Sequence, residues 1–245
     1  GRWVWAGNRA EDSISIIDTR TLEVVKRIAD GVDYTFNWLY IDQNDVSAGL
    51  IDGGAGLGDA AFLDVAGSIV GLNLHASNLE AFYGWSPGTF ADAVTGNAAS
   101  TVALTIRGFG GDDNLTGGGG SDNIQGGDGN DTLVGSGGAD VLRGEVGADL
   151  LIIDQADVSS GLLNGGDGID TAMAATGGAI TGLNLHDRLL EVFVGGTGND
   201  SVVGSAANTV ALNLAGNGGV DTLTGGGGND TIDGGADSDY LQGSG

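Results

Sequence analysis

The chain has 245 residues, room for one or two domains, and carries 33 acidic against 8 basic side chains, a formal net charge of −25. That balance excludes nucleic acid as a partner, because phosphates call for a basic patch, and favours cations. The absence of cysteine excludes disulfides and thiolate metal sites, and no run of about 18 apolar residues is present to span a membrane. Fifty glycines and one proline would suit a flexible linker, but 40% of the residues are hydrophobic, so a folded chain is expected. No N-terminal signal peptide is visible, and Gly1 in first place is what a processed chain or a fragment would show.

Residues 1–33 read as a unit of their own. "RWVWAGN", "DSISIID" and "LEVVKRI" alternate apolar with polar residues between turn-like stretches, which predicts a short antiparallel β-hairpin segment. Arg2, Arg9, Arg20, Lys26 and Arg27 fall within residues 1–30 beside five acids, and the composition turns acidic near residue 30, a candidate boundary. The stretch "WAGNRAEDSISIIDTRTLEVVKRI" (5–28) resembles a single repeat of the YVTN-type β-propeller family. One repeat excludes a full propeller. The segment is expected either to cap the first coil of the remaining chain or to offer an edge to another chain.

The rest of the chain is a tandem duplication. "IDQNDVSAGLIDGGAG" (41–56) returns as "IDQADVSSGLLNGGDG" (153–168), "GLNLHASNLEAF" (71–82) as "GLNLHDRLLEVF" (182–193), and "STVALTI" (100–106) as "NTVALNL" (208–214). The copies are placed at 34–152 and 153–245. Their partial alternation indicates half-buried strands, and no long stretch shows a period of 3.6. His75 and His186 occupy matched positions; as the chain's two histidines, they are read as structural. Glu80 and Glu191 are also matched, and a glycosidase-like acid pair is set aside in favour of a repeat feature.

Each copy ends in a finer ladder with period nine. From Gly108 the sequence runs GFGGDDNLT, GGGGSDNIQ, GGDGNDTLV, GSGGADVLR, GEVGADLLI. The sixth position gives Asp113, Asp122, Asp131, Asp140 and Asp149; the eighth gives Leu115, Ile124, Leu133, Leu142 and Leu151. The second ladder gives Asp221, Asp230 and Asp239, and isolated matches give Asp170 and Asp200. Glycine-rich stretches suit turns and the x-U-x triplet suits a short strand, so two repeats close one coil of 18 residues. Stacked coils give parallel sheets with the aliphatic side chains meeting between them. Asp113, Asp131 and Asp149 should then line one edge, Asp122 and Asp140 the other, and Asp221 should stack on Asp239. Carboxylates about 5 Å apart repel by roughly 3 kcal/mol at an effective dielectric near 20, and a hard divalent cation reverses that sign. Calcium, which accepts six to eight oxygens from carboxylates and carbonyls, fits better than magnesium.

The nonapeptide resembles the RTX, or haemolysin-type calcium-binding, repeat family over 108–152 and 216–242. The fold expected is all-β: a right-handed parallel β-roll or β-helix solenoid, tandem duplicated, with the N-terminal hairpin. All ten aspartates above are candidate calcium ligands. The resemblance implies secretion from a Gram-negative bacterium and folding on calcium outside the cell. It suits a structural or adhesive protein, with head-to-tail assembly into a fibre or surface layer through the chain ends. The alternative is the non-catalytic module of a secreted protease, lipase or polysaccharide epimerase. H-E-x-x-H does not occur, and no catalytic activity is expected. Ice binding is set aside because no regular threonine rows appear.

Overall fold

The computed structural model describes strands within residues 3–41, residues 43 and 47, and residues 60–63 and 68–243 apart from 78, 85–88, 161, 176 and 208. The first three strands, β1 (Trp3–Asn8), β2 (Ser13–Asp18) and β3 (Glu23–Ala29), form an antiparallel meander, one strand more than a hairpin. Every other strand pairing is parallel.

One face of the solenoid is a nine-stranded sheet. In spatial order it holds β6 (Val70–Asn73), β8 (Ala93–Thr95), β10 (Asn114–Thr116), β12 (Thr132–Val134) and β14 (Leu150–Ile153). It continues through β16 (Thr171–Ala174), β18 (Val192–Val194), β20 (Asn213–Ala215) and β22 (Thr231–Asp233). The opposite face is split. Its first part holds β4 (Trp38–Ile41), β5 (Ala60–Leu63), β7 (Ala81–Tyr83), β9 (Thr105–Gly110), β11 (Asn123–Asp128), β13 (Val141–Val146) and β15 (Leu163–Asp167). Its second part holds β17 (Thr181–Asn184), β19 (Ser201–Val203), β21 (Thr222–Thr224) and β23 (Tyr240–Gln242). The chain is therefore an all-β solenoid of stacked parallel coils, with a short α-helix, α1 (Gln155–Ser160), inserted between two strands.

The period of nine explains the core. Leu115, Leu133 and Leu151 stand in register along the nine-stranded sheet, Ile124 and Leu142 along the facing one, and all five are fully buried. Outside the ladder, small and large residues compensate within one register: Ala61 lies beside Phe82, and Ala172 beside Phe193. The strands of the facing sheet are longer than the triplet pattern suggested. Strand β11 runs from Asn123 through Asp128, into the first three positions of the next repeat, because Gly127 and Asp128 keep pairing with Phe109 and Gly110 on one side and Glu145 and Val146 on the other.

Helix α1 occupies the place of a strand, and its side chains supply that strand's hydrogen bonds. Gln155 accepts the amide of Thr181 at 2.6 Å and donates to the Thr181 carbonyl at 3.1 Å, as a paired backbone would. Ser160 Oγ donates to the Asp140 carbonyl at 3.2 Å. The duplication repeats the device: Gln43 accepts from the Val70 amide at 2.6 Å and donates to the Val70 carbonyl at 3.2 Å.

The two copies face opposite ways. Strands β4, β5 and β7 lie on the split face, whereas their sequence equivalents β14, β16 and β18 lie on the nine-stranded face. Glu80 and Glu191 thus precede strands on opposite sides of the solenoid, so the matched glutamates are not brought together as a pair. His75 is half-buried, accepting the Asn97 amide through Nδ1 at 2.7 Å, while His186 is exposed.

Candidate metal centre

Each ladder aspartate sits directly before a strand, at the corner where the coil turns, and its backbone amide points along the solenoid. With no strand partner in that direction, the amide donates to the carboxylate one coil further on. Asp113 N–H donates to Asp131 Oδ1 and Asp131 N–H to Asp149 Oδ1, both at 2.8 Å. On the other edge Asp122 N–H donates to Asp140 Oδ1 at 2.7 Å. In the second ladder Asp221 N–H donates to Asp239 Oδ1 at 3.0 Å. The 18-residue stacking thus places the sequence-derived aspartates in columns, each linked by carboxylate-to-amide bonds.

The columns are longer than the repeats. Asp92 precedes Asp113 and donates to its Oδ1 at 2.7 Å, so Asp113 is the second member of its edge and not the first. Asp170 follows Asp149, accepting its amide at 2.8 Å, and Glu191 Oε2 accepts the Asp170 amide at 2.9 Å. On the other edge Asp157, from helix α1, accepts the Asp140 amide at 2.8 Å. Asp200 stands one coil before Asp221 and donates to it at 2.8 Å. Asp230 accepts from Leu212, so its predecessor in the column is apolar. The nonapeptide pattern did not reveal Asp92, Asp157 or Glu191, because no G-G-x-G turn precedes them. The signal was an acid one place before a strand triplet, as in "ADAVT", where Val94 fills the core.

The second carboxylate oxygen distinguishes the members. Asp122, Asp200 and Asp230 turn Oδ2 to the second residue of their own repeat, the amides of Gly118 (2.5 Å), Gly196 (3.3 Å) and Gly226 (2.7 Å). Oδ2 of Asp113, Asp131, Asp140, Asp149, Asp170 and Asp221 is buried with no hydrogen-bond partner. Buried polar atoms are rarely left so. The space beside these oxygens is kept open by glycine. A Cβ on Gly108 would meet both Asp113 Oδ2 and the carbonyl oxygen of Gly126, one coil on. The same pairing of a carboxylate oxygen with a carbonyl of the next coil recurs at Gly144, with Asp149 and Gly165, and at Gly216, with Asp221 and Gly234. Acceptors converge there and no donor lies between them, which is the donor set a hard, oxygen-seeking cation requires. Among the described residues no cluster of three or more His, Cys, Asp or Glu forms a ready-made cage, so the sites rest on single carboxylates combined with backbone carbonyls.

Glycine at the fourth position has another cause. Gly129 has φ of 138° and Gly147 of 141°, a region that disfavours side chains.

Without a cation the columns are strained electrostatically. Burial pushes the Asp113 carboxyl up to about 8 and that of Asp131 up to about 7, partly opposed by the amides they accept and aided by neighbouring carboxylates. Burial also lifts Asp92 and Asp170 to about 6. Asp122, Asp149 and Asp200 are raised for the same reason, as are Asp140 and Asp157, which lie against each other.

A family model for the RTX calcium-binding nonapeptide repeat matches four stretches, at 105–124, 116–151, 191–208 and 214–245. Those stretches carry RTX calcium-binding repeats, which support a calcium-binding repeat protein. The RTX ladders coincide with the columns of unpartnered carboxylates. The RTX matches leave out Asp92, Asp157 and Asp170, which the fold nevertheless places in the same columns, and they do not extend to residues 5–28, whose propeller-like resemblance has no support. No curated protein and no solved structure is significantly similar to the chain. Among the described residues no helix is long and apolar enough to cross a membrane.

Proposed function

We propose that this chain is an extracellular structural or adhesive protein, without catalytic activity, whose solenoid folds when calcium enters its aspartate columns. The observation that carries this reading is the set of six buried Oδ2 atoms with no partner. An acidic chain with such a core is held open by its own charge until a cation arrives, and binding of the ion then becomes folding free energy. Calcium supplies positive charge and a flexible oxygen coordination shell; the protein contributes Oδ2, the glycine carbonyls and the rigid spacing of the coils. RTX repeats are typical of proteins exported by Gram-negative bacteria, which supports secretion into a calcium-rich exterior. A solenoid grows along one axis by adding coils, which suits a fibre or surface layer built by head-to-tail contact.

Circular dichroism tests the folding step. The chain in chelator is expected to be disordered and to gain β-structure as calcium is added; an unchanged spectrum would overturn calcium-driven folding. Electron microscopy of the calcium-loaded chain tests assembly, with end-to-end particles expected and a strictly monomeric sample refuting it.

A further inference from the structure

The outer surface of the split sheet carries a row of side chains that neither the core nor the calcium columns use. Strand register places Phe62 beside Tyr83, Tyr83 beside Arg107, Arg107 beside Gln125 and Gln125 beside Arg143. All five are half-buried on the outward side, opposite the core positions Ala61, Phe82, Ile106, Ile124 and Leu142. The rings of Phe62 and Tyr83 stack at 4.7 Å with planes 11° apart, and the Arg107 guanidinium lies over Tyr83, 5.8 Å from the ring centre. Arg107 Nε is buried without a hydrogen-bond partner. Arg143 donates to Asn123 Oδ1 at 3.2 Å.

Charge makes the row unusual. Only three basic residues follow Arg27, and two of them stand in this one row. The adjoining row on one side, Thr105, Asn123 and Val141, contains no acid; the row on the other, Phe109, Gly127 and Glu145, carries one, the exposed Glu145 two residues past Arg143. In a chain of net charge −25, a strip with two arginines and no carboxylate of its own is a local site for anions.

The duplication supplies an internal control. In the second copy the positions of Phe62, Tyr83 and Arg107 are held by Met173, Val194 and Ala215, which keep the same neighbour-to-neighbour register on the nine-stranded sheet. The same strands therefore form with aliphatic residues. Folding does not call for the aromatic rings or the guanidinium, and their presence in the first copy alone points to recognition.

We propose that this row binds a linear acidic polysaccharide. Neighbouring strands are about 4.8 Å apart, close to the length of one pyranose unit in an extended chain, so the row offers one subsite per strand. Aromatic rings pack on the apolar faces of sugars. Arg107 and Arg143 are two strands apart, about 10 Å, and guanidinium forks bind carboxylates in a bidentate manner. The ligand that fits has a carboxylate on every second sugar. A protein partner would need a wider apolar patch than one file of side chains, and a neutral glycan would leave both arginines unused.

The test is isothermal titration of the calcium-loaded chain with a hyaluronan oligosaccharide, whose carboxylates recur at every second sugar, beside a neutral cellulose oligosaccharide of equal length. The variant Phe62→Met, Tyr83→Val, Arg107→Ala copies the second repeat and is expected to fold, as circular dichroism with calcium will show. Arg143→Gln is the second, milder variant. Salt-sensitive binding of hyaluronan, weakened about tenfold or more by either variant, and weak binding of the neutral sugar are expected. Equal binding of the neutral sugar, undiminished binding by both folded variants, or no binding by the folded wild type would overturn the proposal. Self-association that the triple variant abolishes would overturn it in favour of a second copy as the occupant. The calcium-folding spectrum is read separately, so a chain that fails to fold is distinguished from a folded chain that fails to bind.

Discussion

Replacing Asp131 by asparagine should act with opposite sign in the presence and absence of calcium. Its side chain is buried, Oδ1 accepts the Asp113 amide at 2.8 Å, and Oδ2 has no partner. The Asp131 carboxyl titrates at about 7 in the cation-free coil against 3.8 for an ordinary aspartate. Deprotonation of the unfolded chain, which the folded coil resists, therefore costs the cation-free fold about 4 kcal/mol at pH 7. Asparagine keeps the oxygen that accepts the amide and removes this term, but it sets a buried NH2 beside Gly126, which costs about 1–3 kcal/mol. The net gain in chelator is about 1–3 kcal/mol. With calcium the variant lacks a charged ligand and should need more calcium to fold. The assay follows circular dichroism in chelator, with trimethylamine N-oxide driving folding, and separately in a calcium titration. The osmolyte midpoint should fall and the calcium midpoint should rise. A shift towards lower stability in both series would refute the electrostatic reasoning.

Acid should replace calcium in part. Unfolded aspartates release protons near 3.8, whereas Asp113, Asp131, Asp92 and Asp170 hold theirs to about 8, 7, 6 and 6 in the cation-free fold. The unfolded chain thus binds fewer protons between about pH 4 and 8, and stability in chelator falls as pH rises through that window; circular dichroism at stepped pH should show β-structure lost on going from pH 4 to 8. Gly108→Ala places a methyl group against Asp113 Oδ2 and the Gly126 carbonyl, and calorimetry should find one calcium ion fewer per chain than in the wild type. Gln155→Glu keeps the acceptor for the Thr181 amide but sets a carboxylate oxygen against the Thr181 carbonyl in place of a donor. A loss of about 1–3 kcal/mol is expected, seen as faster hydrogen exchange at Thr181.

The nonapeptide made the ladder legible because one residue in nine must be aliphatic and one must be acidic at a fixed offset from it. Leu133 and Asp131 could be assigned to core and corner without coordinates. What period nine did not reveal is where the coils change length. Asp92 and Asp157 lie 21 and 17 residues from their column neighbours, and helix α1 hides a column position inside a segment with no glycine turn. The exchange of faces between the two copies was equally hidden. A strand triplet carries no label for the sheet it joins; only the count of half-coils between the copies decides it. The same ambiguity concealed the row at Tyr83 and Arg107, residues 24 apart in the chain and adjacent in the sheet.

The carboxylate-to-amide bonds of the columns run one way. Each amide is satisfied by an acid that lies later in the chain, as Asp113 is by Asp131 and Asp131 by Asp149. A coil near the carboxyl end therefore holds its acceptors before any earlier coil stacks on it, whereas a coil near the amino end has donors that only a later coil can satisfy. The columns thus give the solenoid a polarity: stacking that starts at the carboxyl end leaves no donor waiting.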